Sequence, residues 1–191
     1  MSATTLDPVT AAGNSARPGA FGNAVALRCR ACGAEQPLGP FYACLECFGP
    51  LEAAYDYPAI NRAQIEAGPK SIWRYQPLLP VPADVASFPN TDPGFTRLLK
   101  ADNLARELGL RSLWIKDDSG NPTHSFKDRV VAVALAAARE LGLKVLACPS
   151  TGNLANAVAA AAARAGIKSV VLIPEDLERP KILTTAVYGG T

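Results

Sequence analysis

Residues 144–173 read KVLACPSTGNLANAVAAAAARAGIKSVVLI, and the order of textures along this stretch sets the fold class. KVLAC is short, apolar and followed by a proline, the pattern of a buried strand. LANAVAAAAARAG is long and rich in alanine, and it ends on Gly166, a residue that accepts the left-handed turn closing a helix. SVVLI is again short and β-branched. A strand, a helix and a second strand in close succession predict a parallel β-α-β unit. The same alternation extends upstream. TRLLKADNLARELG (96–109) has apolar residues at helical spacing and ends on Gly109, SLWIKDD (112–118) predicts a strand, and SFKDRVVAVALAAARELG (125–142) predicts a helix ending on Gly142. A further helix is predicted from near Glu178. The expected fold class is α/β, built of parallel β-α-β layers, with ligands bound beyond the carboxyl ends of the strands.

The rest of the chain divides by composition. The full sequence has 191 residues, a formal charge of +2 and 49% hydrophobic residues, enough for one ordinary globular domain and a small appendage. Residues 1–25, rich in Ala, Thr, Gly, Asn and Pro, predict a disordered N-terminus. They hold no apolar core behind a basic start, and no later segment has about 20 uninterrupted apolar residues. A cytoplasmic protein without membrane contact is expected. Lysine and arginine (19) nearly balance aspartate and glutamate (17) without clustering, which argues against nucleic acid as a partner. Residues 26–56 carry four of the five cysteines, and 57–95 read as an extended linker or covering arm, since 77–94 alone holds five prolines. The α/β domain occupies 96–191.

In the cysteine segment, Cys29-Arg-Ala-Cys32 and Cys44-Leu-Glu-Cys47 form two Cys-x-x-Cys hooks separated by eleven residues. Each hook turns two thiolates toward one point, with Gly33 or Gly49 relieving the backbone behind it, so Cys29, Cys32, Cys44 and Cys47 predict a tetrahedral Zn2+ site in a zinc-ribbon-like segment. The loop between the hooks is shorter than usual for such ribbons. Two disulfides are the alternative, disfavoured in a cytosolic chain, and a ribbon that has lost its metal is another. Four protein thiolates leave no coordination position for a reacting water, so the expected role is structural. Cys148 has no partner hook and reads as a buried small hydrophobe.

Chemistry is suggested by two stretches of the α/β part. In NPTHSFKDRVV (121–131), Asn121-Pro122 signals a turn, Thr123 or Ser125 is placed to cap the following helix, and Lys127 stands at its head. The partial positive charge there, together with Arg129, should help the amine lose its proton and act as a nucleophile. The bland alternative is a surface pair of Lys127 with Asp117, Asp118 or Asp128. In PSTGN (149–153), the backbone and two hydroxyls precede a helix whose dipole favours an anion, so the loop can hold a carboxylate or phosphate. A plain helix cap by Ser150, Thr151 or Asn153 is equally open on local grounds.

Taken together, the two stretches resemble the fold type II pyridoxal-phosphate enzymes of the tryptophan-synthase-β kind. The longer run KDDSGNPTHSFKDR, the phrase SIWRYQPLLP, the loop PSTGNLANAVA and the two cysteine hooks are similar to the threonine synthase family in particular, over about residues 26–190. The resemblance implies that Lys127 forms the Schiff base with pyridoxal 5'-phosphate and later shuttles protons at the substrate α and β carbons. It implies that Ser150, Thr151 and Gly152 hold the substrate carboxylate and that Asn153 hydrogen-bonds the cofactor ring oxygen. The implied substrate is O-phospho-L-homoserine, converted with water to L-threonine and phosphate. Lys116, His124 and Arg129 are electropositive candidates for the substrate phosphate or for the fold, and are read as structural. His124 is the single histidine, and Lys127 already supplies acid/base chemistry.

The family's glycine-rich phosphate loop and its later partner for the pyridine nitrogen are not found in these 191 residues. The sequence is therefore expected to be an N-terminal portion, inactive alone, whose partner is the missing C-terminal half; a homo-oligomer does not repair the gap. Two alternatives remain at this stage. One is another fold type II lyase such as cysteate synthase or threonine dehydratase, and the other is a non-catalytic zinc-ribbon interaction fragment.

Overall fold

The computed structural model describes residues 19–85 and 91–190. The expected disorder of 1–25 therefore falls largely outside the described residues. The part that can be seen departs from it: Ala20, Phe21 and Ala24 are buried, and the first strand begins at Ala24.

Strands β1 (Ala24–Cys29), β2 (Glu35–Gln36) and β3 (Leu51–Tyr55) form a small antiparallel sheet in the order β2-β1-β3. Register runs from Ala24 opposite Tyr55 to Cys29 opposite Leu51, which delivers Cys29 to the end of the sheet where the second hook lies. The segment expected as an extended arm is partly helical. Helix α1 (Arg62–Ala67) starts with a capping box in which Asn61 and Gln64 satisfy each other's backbone N–H groups, and Ile72–Leu78 forms a 3-10 helix. Beyond it Val81 and Val85 are fully buried and, with Trp73, pack on Ala132 and Ala136.

Residues 96–109 do not form the single helix expected. Arg97–Lys100 is a strand, β4, paired antiparallel with β5 (Trp114–Asp117), and only Asp102–Glu107 is helical, as α2. Leu98 and Leu99 fit a helical stripe equally well, but the apolar Trp114-Ile115 strand needs a ladder partner, and backbone pairing across the hairpin overrides so short a periodic signal. The chain leaves the extended conformation at Ala101, and Asp102 places an acid in the first turn of α2.

The remaining elements follow the sequence closely. Helix α3 (Lys127–Glu140) leads by a short turn through Gly142 into β6 (Val145–Pro149), then α4 (Asn153–Ala165), β7 (Lys168–Leu172) and α5 (Arg179–Ala186). Strands β6 and β7 pair in parallel from Val145 opposite Lys168 to Pro149 opposite Leu172, with α4 as the crossover. This is the one parallel pair among the described residues; β4–β5 and β1–β3 are antiparallel, so the architecture is mixed α/β, not a uniform parallel stack. Gly166 closes α4 at φ 66°, with the Ile167 N–H donating back to Ala162 O at 3.0 Å.

Helix α3 touches all three apolar clusters. Val131 and Leu135 pack with Cys148, Ala157, Val158 and Ala161; Ala132 and Ala136 meet the 72–85 strap; Ala137 and Leu141 lie against the cluster of Ala20, Phe21 and Ala24 under the small sheet. Among the described residues no helix is long and apolar enough to cross a membrane.

Candidate active site and cysteine cluster

Because α3 ends where β6 begins and β6 ends where α4 begins, the first turns of α3 and α4 lie at the carboxyl end of β6. Val131, one turn beyond Lys127, shares a cluster with Cys148 near the end of β6 and with Ala157 and Val158 of α4, so the end of α3 that carries Lys127 faces the end of β6 that leads into the 150–153 loop.

The loop carrying Lys127 is held by a chain of buried polar groups. Asn121, 2% exposed, accepts the Gly94 N–H at 2.9 Å and donates through Nδ2 to Asp118 O at 3.1 Å. Asp128, 1% exposed, accepts the Thr123 N–H at 2.8 Å and the Thr123 hydroxyl at 3.0 Å. Thr123 thus serves Asp128 and is not the helix cap; the hydroxyl of buried Ser125 accepts the Lys127 N–H at 3.2 Å. His124 sits at φ 59°, a left-handed conformation costly for a side chain with a Cβ, and its Nδ1 lies 2.9 Å from Ser119 O.

The three aspartates offered as surface partners for Lys127 are engaged elsewhere. Asp117 binds Arg97 at 3.1 Å and accepts the Ser119 N–H at 3.2 Å, contacts that lower its pKa, with the Ser119 hydroxyl the largest cause. Asp118 takes a two-pronged contact from Arg129, Nη2 at 2.8 Å and Nε at 3.1 Å, which holds its pKa down at about 2. Asp128 is enclosed with Thr123. Among the described residues no carboxylate pairs with the Lys127 amine, which lies 4.8 Å from the centre of the Phe126 ring. Arg129 is turned into the fold, as the sequence suggested, and Lys116 donates to Thr96 O.

Helix α4 begins without a side-chain cap. None of Ser150, Thr151 and Asn153 caps it; Ser150 Oγ accepts only the Gly152 N–H, at 3.4 Å. Thr151, Gly152 and Asn153 are exposed, so the donors of the first turn are open to a ligand. Ser150 and Thr151 also line a small cleft with Ile173, Lys181 and Thr185, and the Thr185 hydroxyl donates to Asn156 Oδ1 at 2.7 Å.

The sulfurs of Cys29, Cys32, Cys44 and Cys47 lie within 4.8 Å of one another. Cys29 and Cys47 are 3.5 Å apart and Cys32 and Cys44 3.7 Å, too far for a disulfide at about 2.05 Å and close to the ~3.8 Å edge of a tetrahedron of thiolates around one ion. Backbone N–H groups of Ala31 and Cys32 donate to Cys29 Sγ, and that of Glu46 to Cys44 Sγ, at 3.3 to 3.5 Å. The Cys32 N–H is the main cause that lowers the Cys29 thiol to about 6, while hydrogen bonding with the Cys32 sulfur pushes Cys47 up to about 12. Gly49 closes the cradle: a Cβ there would stand 2.9 Å from Cys29 Sγ and 3.1 Å from Cys47 Sγ. Cys148 is buried at the end of β6, and burial pushes its thiol up.

Sequence reasoning did not identify Asn121, Thr123, Gly94 and Thr96 as the supports of this site. Asn121-Pro122 carried the signal of a turn and Thr123 that of a helix cap, neither of which points to the contacts they make.

A family profile described as pyridoxal-phosphate dependent enzyme matches residues 90–191. Threonine synthase of Methanosarcina acetivorans is 40% identical over 151 residues, 78% of this chain and 36% of that protein. Threonine synthase of Methanocaldococcus jannaschii is 39% identical over 167 residues, 85% of this chain and 41% of that protein. The chain thus spans well under half the length of these curated relatives. Among solved structures, a pyridoxal 5'-phosphate-dependent aspartate racemase aligns with 30% identity and a TM-score of 0.46, covering 50% of this chain and 31% of that one. With more than half of its residues matched by the family profile, the chain belongs to the pyridoxal-phosphate-dependent enzymes.

Proposed function

We propose that this chain supplies the lysine-bearing part of an enzyme that converts O-phospho-L-homoserine and water to L-threonine and phosphate, with pyridoxal phosphate bonded to Lys127. The observation that carries the reading is an amine with no carboxylate partner among the described residues, at the head of α3, while Asp117, Asp118 and Asp128 are all engaged by other groups. Such an amine fits a carbonyl cofactor, because it is not committed to an ion pair. The relatives named above support the substrate class.

In this reading Lys127 would hold the cofactor and move protons at the substrate α and β carbons. Bound there, the cofactor ring supplies an electron sink. Ser150, Thr151 and Gly152, with the uncapped N–H groups of α4, hold the substrate carboxylate, where the helix dipole favours negative charge. Asn153 would hydrogen-bond the ring hydroxyl of the cofactor. Cys29, Cys32, Cys44 and Cys47 hold a structural Zn2+, supported by their mutual distances and by the space that Gly49 leaves beside two of the sulfurs.

Borohydride reduction of the protein with pyridoxal phosphate, followed by peptide mapping, should place the pyridoxyl label on Lys127, and Lys127→Ala should lose it. Label spread evenly over exposed lysines such as Lys70 and Lys144 would sink the reading. Phosphate release from O-phospho-L-homoserine by a full-length relative, compared with deamination of L-threonine, then decides the substrate.

A further inference from the structure

Lys127 is the first residue of α3, and first turns fray unless something fixes them. Arg129 lies two positions on, about 200° around the helix axis, so whatever holds Arg129 inward turns Lys127 toward the opposite side. Three segments hold it. Asp118, at the end of β5, receives Arg129 Nη2 at 2.8 Å and Nε at 3.1 Å, a planar fork that fixes direction as well as distance. The Thr96 hydroxyl, just before β4, donates to Asp118 Oδ1 at 2.7 Å and accepts from Arg129 Nη2 at 3.1 Å, closing a triangle. Gly94 leaves room for the guanidinium: a Cβ at that position would stand 2.9 Å from Arg129 Nη1. By helix periodicity these contacts fall on the side of α3 away from Lys127. Arg129 is therefore committed to the fold and is not free to meet a substrate anion.

We infer that Asp118 is a positioning residue for Lys127: acting through Arg129 and steadied by Thr96, it sets the roll of the first turn of α3 and so the place of the reactive amine. The inference rests on the reading of Lys127 as the cofactor lysine. Asp118 touches neither cofactor nor substrate in this scheme, and its effect passes entirely through the orientation of the helix.

The test measures borohydride-fixed pyridoxal phosphate at Lys127 relative to that at exposed Lys144 in the same sample, alongside the thermal midpoint. Asp118→Asn keeps the shape and removes the charge-assisted fork; Arg129→Lys keeps the charge and removes the fork geometry. Both should lower the Lys127-to-Lys144 ratio by on the order of ten-fold or more, as displacement of a reacting group does. Asp118→Glu should restore part of the ratio. A change confined to stability would move the midpoint and leave the ratio alone, and that result overturns the inference. If Asp118→Asn does not fold, Thr96→Val, which removes one side of the triangle, is read by the same ratio: a fall supports the inference, and no change overturns it. Absence of label on Lys127 in the unaltered protein would instead refute the cofactor lysine itself, a separate outcome.

Discussion

Replacing Asp128 with alanine tests whether the loop before α3 is held by its buried carboxylate. The group is 1% exposed and has two donors, the Thr123 N–H at 2.8 Å and the Thr123 hydroxyl at 3.0 Å. A hydrogen bond to a charged group contributes about 1.5–3 kcal/mol, so two such bonds set an upper range of about 3–6 kcal/mol. Thr123 is only half-buried, and water can serve it in part, which brings the expected loss to about 3 kcal/mol. Asp128→Asn retains one oxygen for the Thr123 N–H and offers its NH2 to the hydroxyl, which can rotate to accept; about 1 kcal/mol is expected. Thr123→Val removes only the hydroxyl bond and should cost about 1 kcal/mol. Urea unfolding followed by far-UV circular dichroism, extrapolated to water, gives the three values. A loss under about 0.5 kcal/mol for Asp128→Ala, in the range of an ordinary surface substitution, would refute the argument that this carboxylate organises the loop.

Gly94→Ala should destabilise by about 2–3 kcal/mol, because it sets a Cβ at φ 95° against Ile72 N at 3.0 Å and the Arg129 guanidinium; denaturant unfolding reads it. The pH dependence of stability should carry the mark of Asp118. Its folded pKa is depressed to about 2, so the stability it contributes is complete above its unfolded value near ~4 and drains as pH falls toward 2. Asp118→Asn should flatten that part of the curve when unfolding is measured across pH. Stripping a bound metal with a chelator should open the four hook cysteines to a thiol titration, with buried Cys148, whose thiol is pushed up, reacting last; zinc should protect all four hook cysteines at once.

What could be read from the sequence was what is local. The cysteine hooks encode their own turns, and α3, α4, β6 and β7 each carry a full period of pattern bounded by a glycine or proline. The Asn61-to-Gln64 capping box of α1 went unread, because the prolines that follow pointed to an extended arm over 57–95. Strand β4 was not legible: four residues, Arg-Leu-Leu-Lys, suit a helix or a strand alike, and the choice is made by β5 across the hairpin. The site divides in the same way. Lys127 and the 150–153 loop stand out by residue type, whereas the selection of Arg129 by Asp118, and of Thr123 by Asp128, out of several adjacent charges depends on the folded chain.

Helix α3 has the cysteine module on one flank, the proline strap on another and the β6–α4 layer on a third. A post guyed from three sides does not lean without slackening a rope. Unravelling at the hooks would loosen Phe21 and its neighbours, then Ala137 and Leu141, and so reach the amine at the far end of the same helix without any contact with it. On the proposed reading, the cysteine cradle and the Lys127 amine are linked through one helix, whose far end packs against the Ala20, Phe21 and Ala24 cluster.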